Sequence, residues 1–570
     1  MDLISRLDLL LAELVSSTFG FVLDPRLSFW VPAKKREHGD FSTNVVFFLA
    51  KELIMPLEEL AQRIAIALEE RGNLIKVVAV ASGGFINIVL NPLVWEDFLR
   101  SVNQQGSNYG FSNIGCNTPV NLEFVSANPT GPLHLGHVRG AIIFDVFAEL
   151  LSKFNFSVTR EYYINDAGKQ IDLLLLSVFI RCTEQVTGKS VENFPAGCYA
   201  GDYIKEIAAE LQLVCPGVDY GKLNLDEFIE SFKEIVLDLM MKMIRVDLEK
   251  LNISYDCYVR EQDLHKDGYI ESAISILAER GCIKEEELPA PKGKVADWVE
   301  RKQLVFLSKH FGDDENRALK KADGSWTYFA SDIAYHFHKI QRGFMNMIVG
   351  LGADHAGYVK RLSGIVEALS KNTASIYVKL YNLVNLFRNG KPVKLSKRNG
   401  NLITIEDVLE SGITVNEIRF AMLTKSSEVV LDFDLDRFVN TSYDNPLFYV
   451  QYAHARCASL LTKHKMSGEC NVSLMQSGYE LELMKVLSKL PSLFKSIVGS
   501  GDVHKLTFYL QEVAEKFHAL WNAGMKDKQL RFIVEENPSL TNSRLFLVSA
   551  VKNTIASVLG VLKIQPAESM

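Results

Sequence analysis

Two imidazoles three residues apart, in NPTGPLHLGH (128–137), are the first residues of this chain placed to do chemistry. His134 and His137 flank Gly136 where a strand-like run gives way to a helical pattern. A helix start presents unpaired backbone N–H groups and a partial positive charge of about half a unit. Imidazole N–H groups there suit phosphate oxygens, and Gly136 lets a nucleotide approach the main chain. Pro129, Gly131 and Pro132 hold the turn, and Leu133 leads into the first histidine. The bland alternative is a pair of capping or core histidines; a strand before and a helix after weigh against it. The second element is KLSKRNGN (394–401). Lys394 and Lys397 bracket Leu395 and Ser396, Arg398 follows, and Asn399-Gly400 makes a turn. Cationic donors on a loop fit a phosphoryl group whose charge grows in the transition state. Lysine also supplies a compact charge for a departing pyrophosphate. Taken alone the segment reads as a solvated basic loop. Against that, Lys379, Arg388, Lys391, Lys394, Lys397 and Arg398 occur between residues 379 and 404 with no acid among them.

These groups need a scaffold. PVNLEFVSA (119–127) reads as a strand and GHVRGAIIFDVFAELLSKF (136–154) as a long helix. SVTREYYI is then a second strand and IDLLLLSVFIRCTEQV a second helix. That alternation predicts a parallel α/β sheet. Residues 195–300 carry mainly helical signals and charge up to PAPKGK (289–294), so an inserted helical segment is expected. Strands resume at MNMIVGLG (345–352) and ASIYVKLYNLV (374–384). Past about residue 405 strand signals fade, and NPLFYVQYAHARCASLL, QEVAEKFHALWNAGM and SRLFLVSAVKNTIASVLGVL read as helices of a bundle. Ahead of the sheet, a helix at the N-terminus, a helix at 58–70 and β-rich IKVVAVASGGFINIVL predict a small α/β module. The polar, glycine-rich stretch 104–118 reads as a linker.

Length and composition agree. At 570 residues the chain calls for roughly three or four domains of ~150 residues. A hydrophobic content of 48% with 23% charged residues is ordinary for a globular enzyme. The apolar N-terminus is broken by Asp2, Asp8 and Glu13 at helical spacing, which predicts an amphipathic helix and not a signal peptide. No uninterrupted apolar run nears the ~20 residues that span a bilayer. Eight scattered cysteines form no C-x-x-C pair and no zinc-spaced cluster, as expected of buried thiols in a cytoplasmic protein. A net charge of −7 excludes indiscriminate nucleic-acid binding while leaving room for an RNA partner at a local basic patch.

HLGH on the first strand–helix crossover and KLSKR after the last strand resemble the class I aminoacyl-tRNA synthetase signature. The resemblance narrows to the arginyl enzymes of that class through LEFVSANPTGPLHLGHVRG, REYYINDAGKQI, GDDENRALKKADGSWTYFASDIAYH, GADHAGY and VKLSKRNGN. EIRFAMLTKSSEVVLDFDLD and NPLFYVQYAHAR extend it toward the C-terminus, and HGDFSTN with GFIN extends it toward the N-terminus. It implies a Rossmann-like catalytic domain over 106–404 with the helical insertion. A tRNA-elbow-binding α/β domain over 1–105 precedes it, and a helical anticodon-binding domain over 405–570 follows. It implies formation of arginyl-adenylate from L-arginine and ATP, then transfer to the terminal adenosine of tRNA(Arg). ATP would bind at Pro132, Leu133, His134, Gly136, His137, Lys394, Leu395, Ser396, Lys397 and Arg398, with His134, His137, Lys394 and Lys397 acting in catalysis. Mg²⁺ would come with the nucleotide phosphates and no tightly bound metal is expected. Tyr328 and Asp332 are four apart and share a helix face. By residues alone they are a surface pair near a helix start; by resemblance they read the guanidinium, with Glu123 on the first strand. Asn128 and Asp354, with His355, would hold the substrate's amine and carboxylate. Ala356 in GADHAGY stands where many bacterial relatives carry a second histidine. DFDLD (432–436) is expected to be a turn with a helix cap. A monomer is expected, with no membrane partner.

Overall fold

Five parallel strands form the scaffold of the segment that carries HLGH. They lie side by side in the order Ser375–Tyr381, Asn346–Gly352, Pro119–Glu123, Ser157–Ile164, Cys257–Arg260. The first strand in sequence is therefore central. The next two continue to one side and the last two to the other, so the winding reverses at Pro119–Glu123. Outside the carboxyl ends at such a reversal lies the crevice where doubly wound sheets bind ligands. Strand Pro119–Glu123 is buried along nearly its whole length, as expected when helices cover both faces of a sheet. The helix that follows it, Leu135–Lys153, packs closely: a Cβ on Gly140 would stand 2.4 Å from the Tyr381 ring, and one on Gly350 would stand 2.2 Å from Phe144. Only glycine fits at either place.

The computed structural model describes residues 2–24, 27–33, 35–191, 194–287, 302–393, 403–467 and 469–570. They form two compact units, one spanning 113–439 and the other combining residues up to 112 with those from 440 onward.

Within the first unit, helices Lys169–Thr187, Asp202–Val214 and Leu225–Lys250 enclose an apolar cluster of their own that includes Leu175, Val178, Leu211, Phe228 and Met240. Asn224 and Glu227 close the start of the long helix with a reciprocal capping box. The helical character expected up to residue 300 ends sooner. Cys257–Arg260 rejoins the main sheet, and Ile283–Glu287, Lys302–Phe306 and Arg317–Ala318 form a small antiparallel sheet. A four-residue strand is too short to show a period, and IKEEE is a strand by pairing, not by composition. PAPKGK lies outside the described residues.

DFDLD also differs from expectation. Leu431–Asp434 is a strand, parallel to Val384–Arg388, with Leu431 and Phe433 buried. The helical turn begins only at Leu435, where the Asp434 carboxylate accepts the Asp436 N–H. The unit accordingly runs to Val439, past the point where strand signals fade in the sequence.

In the second unit, helix Leu3–Phe19 is capped by Asp2, which accepts from the Ser5 amide at 2.9 Å, and it buries Leu3, Leu7, Leu10, Leu11 and Leu14. Strands Trp30–Pro32, Phe41–Thr43, Ile86–Leu90 and Ile75–Val80 form an antiparallel sheet in that order. Helices Pro446–Lys463, Lys505–Lys526 and Pro538–Val561 build the bundle. The two stretches share contacts. Lys495 pairs with Asp2 at 2.9 Å, Phe111 stacks on Phe494 at 4.9 Å, and the Tyr109 hydroxyl donates to Leu487 O at 3.0 Å. The stretch read as a linker is thus packed at Tyr109 and Phe111, whose aromatic rings outweigh their polar neighbours. Among the described residues Pro538–Val561 is long and apolar enough to cross a bilayer, and 72% of its apolar window is buried inside the unit.

Candidate active site

His134 caps the helix that His137 enters. Its Nδ1 accepts from the amides of Gly136 at 3.1 Å and His137 at 3.3 Å. An accepting Nδ1 is unprotonated, so the hydrogen sits on Nε2. Two of the helix's unpaired amides are therefore engaged by His134, and the donors this corner offers a phosphate are imidazole N–H groups. The two rings stack with centroids 3.7 Å apart and planes 17° apart. Burial lowers the His134 pKa, and burial together with the neighbouring His134 charge pushes His137 down to about 3. Both are neutral at neutral pH. A Cβ on Gly136 would come within 2.9 Å of His134 Cε1, so a side chain there would displace the cap.

Leu133 is buried and its amide points to Asp247 at 3.4 Å. A cavity of about 490 Å³ lies against the turn, lined by Asn128, Gly131, Pro132, His134, His137, Tyr199 and Tyr203. The Tyr203 hydroxyl donates to Thr130 O at 2.9 Å, which ties the inserted helices to the NPTGP turn. On the other side the Leu135 amide donates to Ile403 O at 3.2 Å and His134 pairs with Thr404. The chain leaving the basic segment thus returns to HLGH. Lys394, Leu395, Ser396, Lys397 and Arg398 themselves lie outside the described residues.

A second cavity, of about 410 Å³, opens at the same edge of the sheet. Glu123, Asn128, Glu261, Tyr328, Asp332 and His355 all line it. Tyr328 opens helix Tyr328–Gln341, capped by Thr327, and one turn later Asp332 faces the same space. The Asp332 carboxyl is pushed up to about 8 by burial, with the Glu261 and Glu123 charges adding to it. Asp332 and Glu261 crowd here with exposed Lys169 on the same lining, and among the described residues no lysine or arginine is in ion-pair contact with either acid. Glu123 is different: its Oε2 receives the fully buried Lys339 ammonium at 2.6 Å and its Oε1 the Ser126 hydroxyl at 3.2 Å. Lys339 also lies 3.9 Å from Glu161, the residue directly across from Glu123 on the neighbouring strand. One ammonium therefore relieves a like-charge pair and pins the helix that presents Asp332.

The remaining expected residues divide. Asn128 lines both cavities and donates to Gln170 at 2.6 Å. His355 lines the acidic cavity, whereas Asp354 does not; its side chain is 80% exposed and 3.5 Å from His355. Glu261 is the acid that sequence reasoning missed. It is 3% exposed and begins the short helix after strand Cys257–Arg260. An acid directly after a strand is the signal that could have found it, once YVR is read as a strand.

Comparison with known proteins then gives the family. The profile of "tRNA synthetases class I (R), catalytic domain" matches residues 101–434. "Arginyl tRNA synthetase N terminal domain" matches 9–90 and "DALR anticodon binding domain" matches 450–570. The chain is 64% identical over 570 residues to an arginine–tRNA ligase of Neorickettsia sennetsu, covering 100% of both chains. It is 46% identical over 574 residues to one of a Wolbachia of Brugia malayi, covering 100% of this chain and 98% of that one. In fold it is similar to the arginyl-tRNA synthetase of Thermus thermophilus, with a TM-score of 0.76 at 22% identity over 100% of both chains. With a catalytic-domain match over more than half its length and full-length relatives this similar, the chain belongs to the class I arginyl-tRNA synthetase family.

Proposed function

We propose that this chain activates L-arginine with ATP, giving arginyl-adenylate and pyrophosphate, and transfers the arginyl group to the terminal adenosine of tRNA(Arg). The observation that carries the substrate choice is the acidic cavity beside HLGH, where Asp332 and Glu261 converge. Lys169 also lines the space, but among the described residues no lysine or arginine is in ion-pair contact with either acid. A guanidinium supplies the missing charge and a planar set of donors. In this reading Asp332, Glu261 and Tyr328 receive the guanidinium. Glu123 acts mainly as the counter-ion of Lys339. Asn128 and His355 are near enough to serve the amine and carboxylate, and Asp354 is left a supporting part. His134 and His137 donate to ATP phosphates as neutral imidazoles. Lys394 and Lys397 would meet the developing charge on the leaving pyrophosphate, and Mg²⁺ would travel with the phosphates.

The site's electrostatics give a pH prediction. Asp332 is raised to about 8 by burial and the neighbouring acids, and a bound guanidinium pulls it down, so binding below pH 8 releases a proton. Arginine affinity should therefore rise as pH rises toward 8 and level off above it. Calorimetry at pH 7 in two buffers of different ionisation enthalpy should detect release of about one proton. Flat affinity from pH 6.5 to 8.5 with no proton release would refute this account of Asp332.

Two aromatic groups support the tRNA part. Phe47 and Phe85, both partly exposed, meet edge to face at 5.1 Å beside the Gly83-Gly84 turn. In the bundle, Phe448 and Tyr452 stack at 5.9 Å, and the Arg456 guanidinium lies 4.1 Å from the Tyr452 ring centre and 4.4 Å from that of Trp521. Tyr443 stands at the end of this group, 59% exposed. Unpaired bases stack on such faces. Tyr443→Ala should raise KM for tRNA by roughly five- to a hundredfold, the ~1–3 kcal/mol of one base stack, and leave KM for arginine and ATP unchanged. An unchanged tRNA KM would remove Tyr443 from the interface. The protein is read here as a cytoplasmic monomer.

The deciding experiment offers the purified protein ATP, Mg²⁺, tRNA and each labelled amino acid in turn. Acid-precipitable label from arginine alone supports the proposal. Label from a different amino acid keeps the two-step chemistry and overturns the guanidinium site.

A further inference from the structure

The long helix of the insertion, Leu225–Lys250, ends against the HLGH turn, and its last turn carries an acid that none of the steps above employs. Asp247 stands at the carboxyl end of a 26-residue helix, where the helix dipole is negative and a carboxylate is disfavoured. It is also only 8% exposed, so its charge has lost most of its water. In return its Oδ2 accepts the Leu133 amide at 3.4 Å. Among the described residues no other group meets that amide, and Leu133 itself is fully buried. A buried amide without an acceptor is costly, so the carboxylate fixes the main chain one residue ahead of His134.

Residues three and four apart share a helix face, and the two that follow Asp247 at that spacing are also engaged. Lys250 pairs with Glu406 on the short helix Ile405–Glu410. Leu251 O accepts from Arg419 Nη1 at 2.8 Å, and Arg419 Nη2 donates to Asp145 of the HLGH helix at 2.6 Å. One face of one helical turn thus holds the main chain before His134, the segment that leaves KLSKR and, through Arg419, the helix that His134 caps. With its helix end held on those sides, Asp247 has little freedom to follow Leu133. The imidazoles are tied to the result, because His134 takes the Gly136 and His137 amides.

Burial pushes the Asp247 carboxyl up to about 6; the Leu133 amide and the Lys250 charge hold it down, and the Glu406 charge raises it. His134, the titratable group next along the turn, is kept neutral by burial. Asp247 is therefore ionised at neutral pH, and an ionised acceptor bonds an amide about twice as strongly as a neutral one.

We propose that Asp247 is a positioning residue for adenylate formation: by holding the Leu133 amide it sets where the His134–His137 pair meets the ATP phosphates. This rests on the ATP-dependent reading above. The imidazoles touch the phosphates; Asp247 acts only through the Leu133 main chain.

The test is arginine-dependent ATP–pyrophosphate exchange in the full-length enzyme, with tRNA present and arginine saturating so that titration of Asp332 drops out. Asp247→Ala removes the acceptor and should lower kcat roughly a hundredfold, the effect of about 1 Å of misplacement, with KM for arginine unchanged. Asp247→Asn keeps an acceptor of the same shape without the charge and should recover part of it, to roughly tenfold below wild type. The pH profile separates positioning from folding. Wild-type kcat should fall as pH drops through about 6, while Asp247→Asn stays flat there, close to the acid plateau of the wild type. The same step should survive in His137→Ala, which leaves Asp247 and His134 in place. An unchanged kcat in Asp247→Ala overturns the proposal, as does a wild-type profile that is flat near pH 6 or has a step there that Asp247→Asn retains. Parallel losses of kcat and arginine affinity in both variants, or failure of both to fold, make Asp247 a residue of the fold alone and overturn it too. A wild type with no arginine-dependent exchange at any pH defeats the functional reading first, and this proposal with it.

Discussion

Asp332→Asn should raise KM for arginine on the order of a hundred- to a thousandfold and leave KM for ATP nearly unchanged. The magnitude is the ~3–5 kcal/mol lost when one partner of a buried ion pair is removed. Asn keeps the shape and one acceptor, so the loss isolates the charge. A folding defect is not expected, and the sign can be worked out. Asp332 is raised to about 8 in the folded protein, above the ordinary carboxylate value of 3.8. Between those values the folded state holds a proton that the unfolded state has released. Its contribution therefore becomes less favourable as pH rises from about 4 to about 8. Removing the acid should leave the ligand-free enzyme at least as stable at neutral pH, while the rise in Tm on adding arginine disappears. Equal effects on arginine and ATP, or a lowered Tm without ligand, would show that Asp332 holds the fold and does not read the substrate.

His137→Ala should slow adenylate formation in a single turnover by about a hundred- to a thousandfold. That corresponds to the ~2.7–4 kcal/mol assigned to one lost transition-state donor. His137 Nδ1 is buried with no partner among the described residues, so the ring has capacity to spare for a ligand. Because its pKa lies near 3, it does not titrate in the working range. The wild-type rate should accordingly show no step at pH 6–7 that vanishes in the variant. A step that disappears with His137 would mean an imidazolium acts there. An unchanged single-turnover rate in His137→Ala would remove it from the mechanism.

The parts of the site that were legible in the sequence are those built from neighbours along the chain. HLGH is a cap and first helical turn whose spacing is local, and Tyr328 with Asp332 is one turn of helix. What stayed hidden depends on distant partners. Glu123 and Lys339 are 216 residues apart, and no charge pattern in the sequence shows that a buried ammonium engages the acid expected to read arginine. Glu261 was hidden because the strand that delivers it has four residues and sits among helical signals. DFDLD (432–436) reads as a turn with a helix cap because its first three residues join a strand only through parallel pairing with Val384–Arg388. The other four strands of the central sheet, by contrast, are legible because strand-like runs alternate with long helices.

The pairing of the first 112 residues with those from 440 onward has a consequence for how the protein is made. A ribosome works at ~5–20 residues per second, so the N-terminal stretch waits on the order of a minute or less for its bundle helices. Phe111 meets Phe494, and Asp2 meets Lys495, only after the intervening unit has emerged. During that interval the nascent chain exposes an unfinished apolar face beside a finished neighbour. Chaperone demand should therefore be concentrated late in synthesis, and a ribosome stalled beyond residue 440 should leave the N-terminal stretch open to proteases that spare the unit already complete.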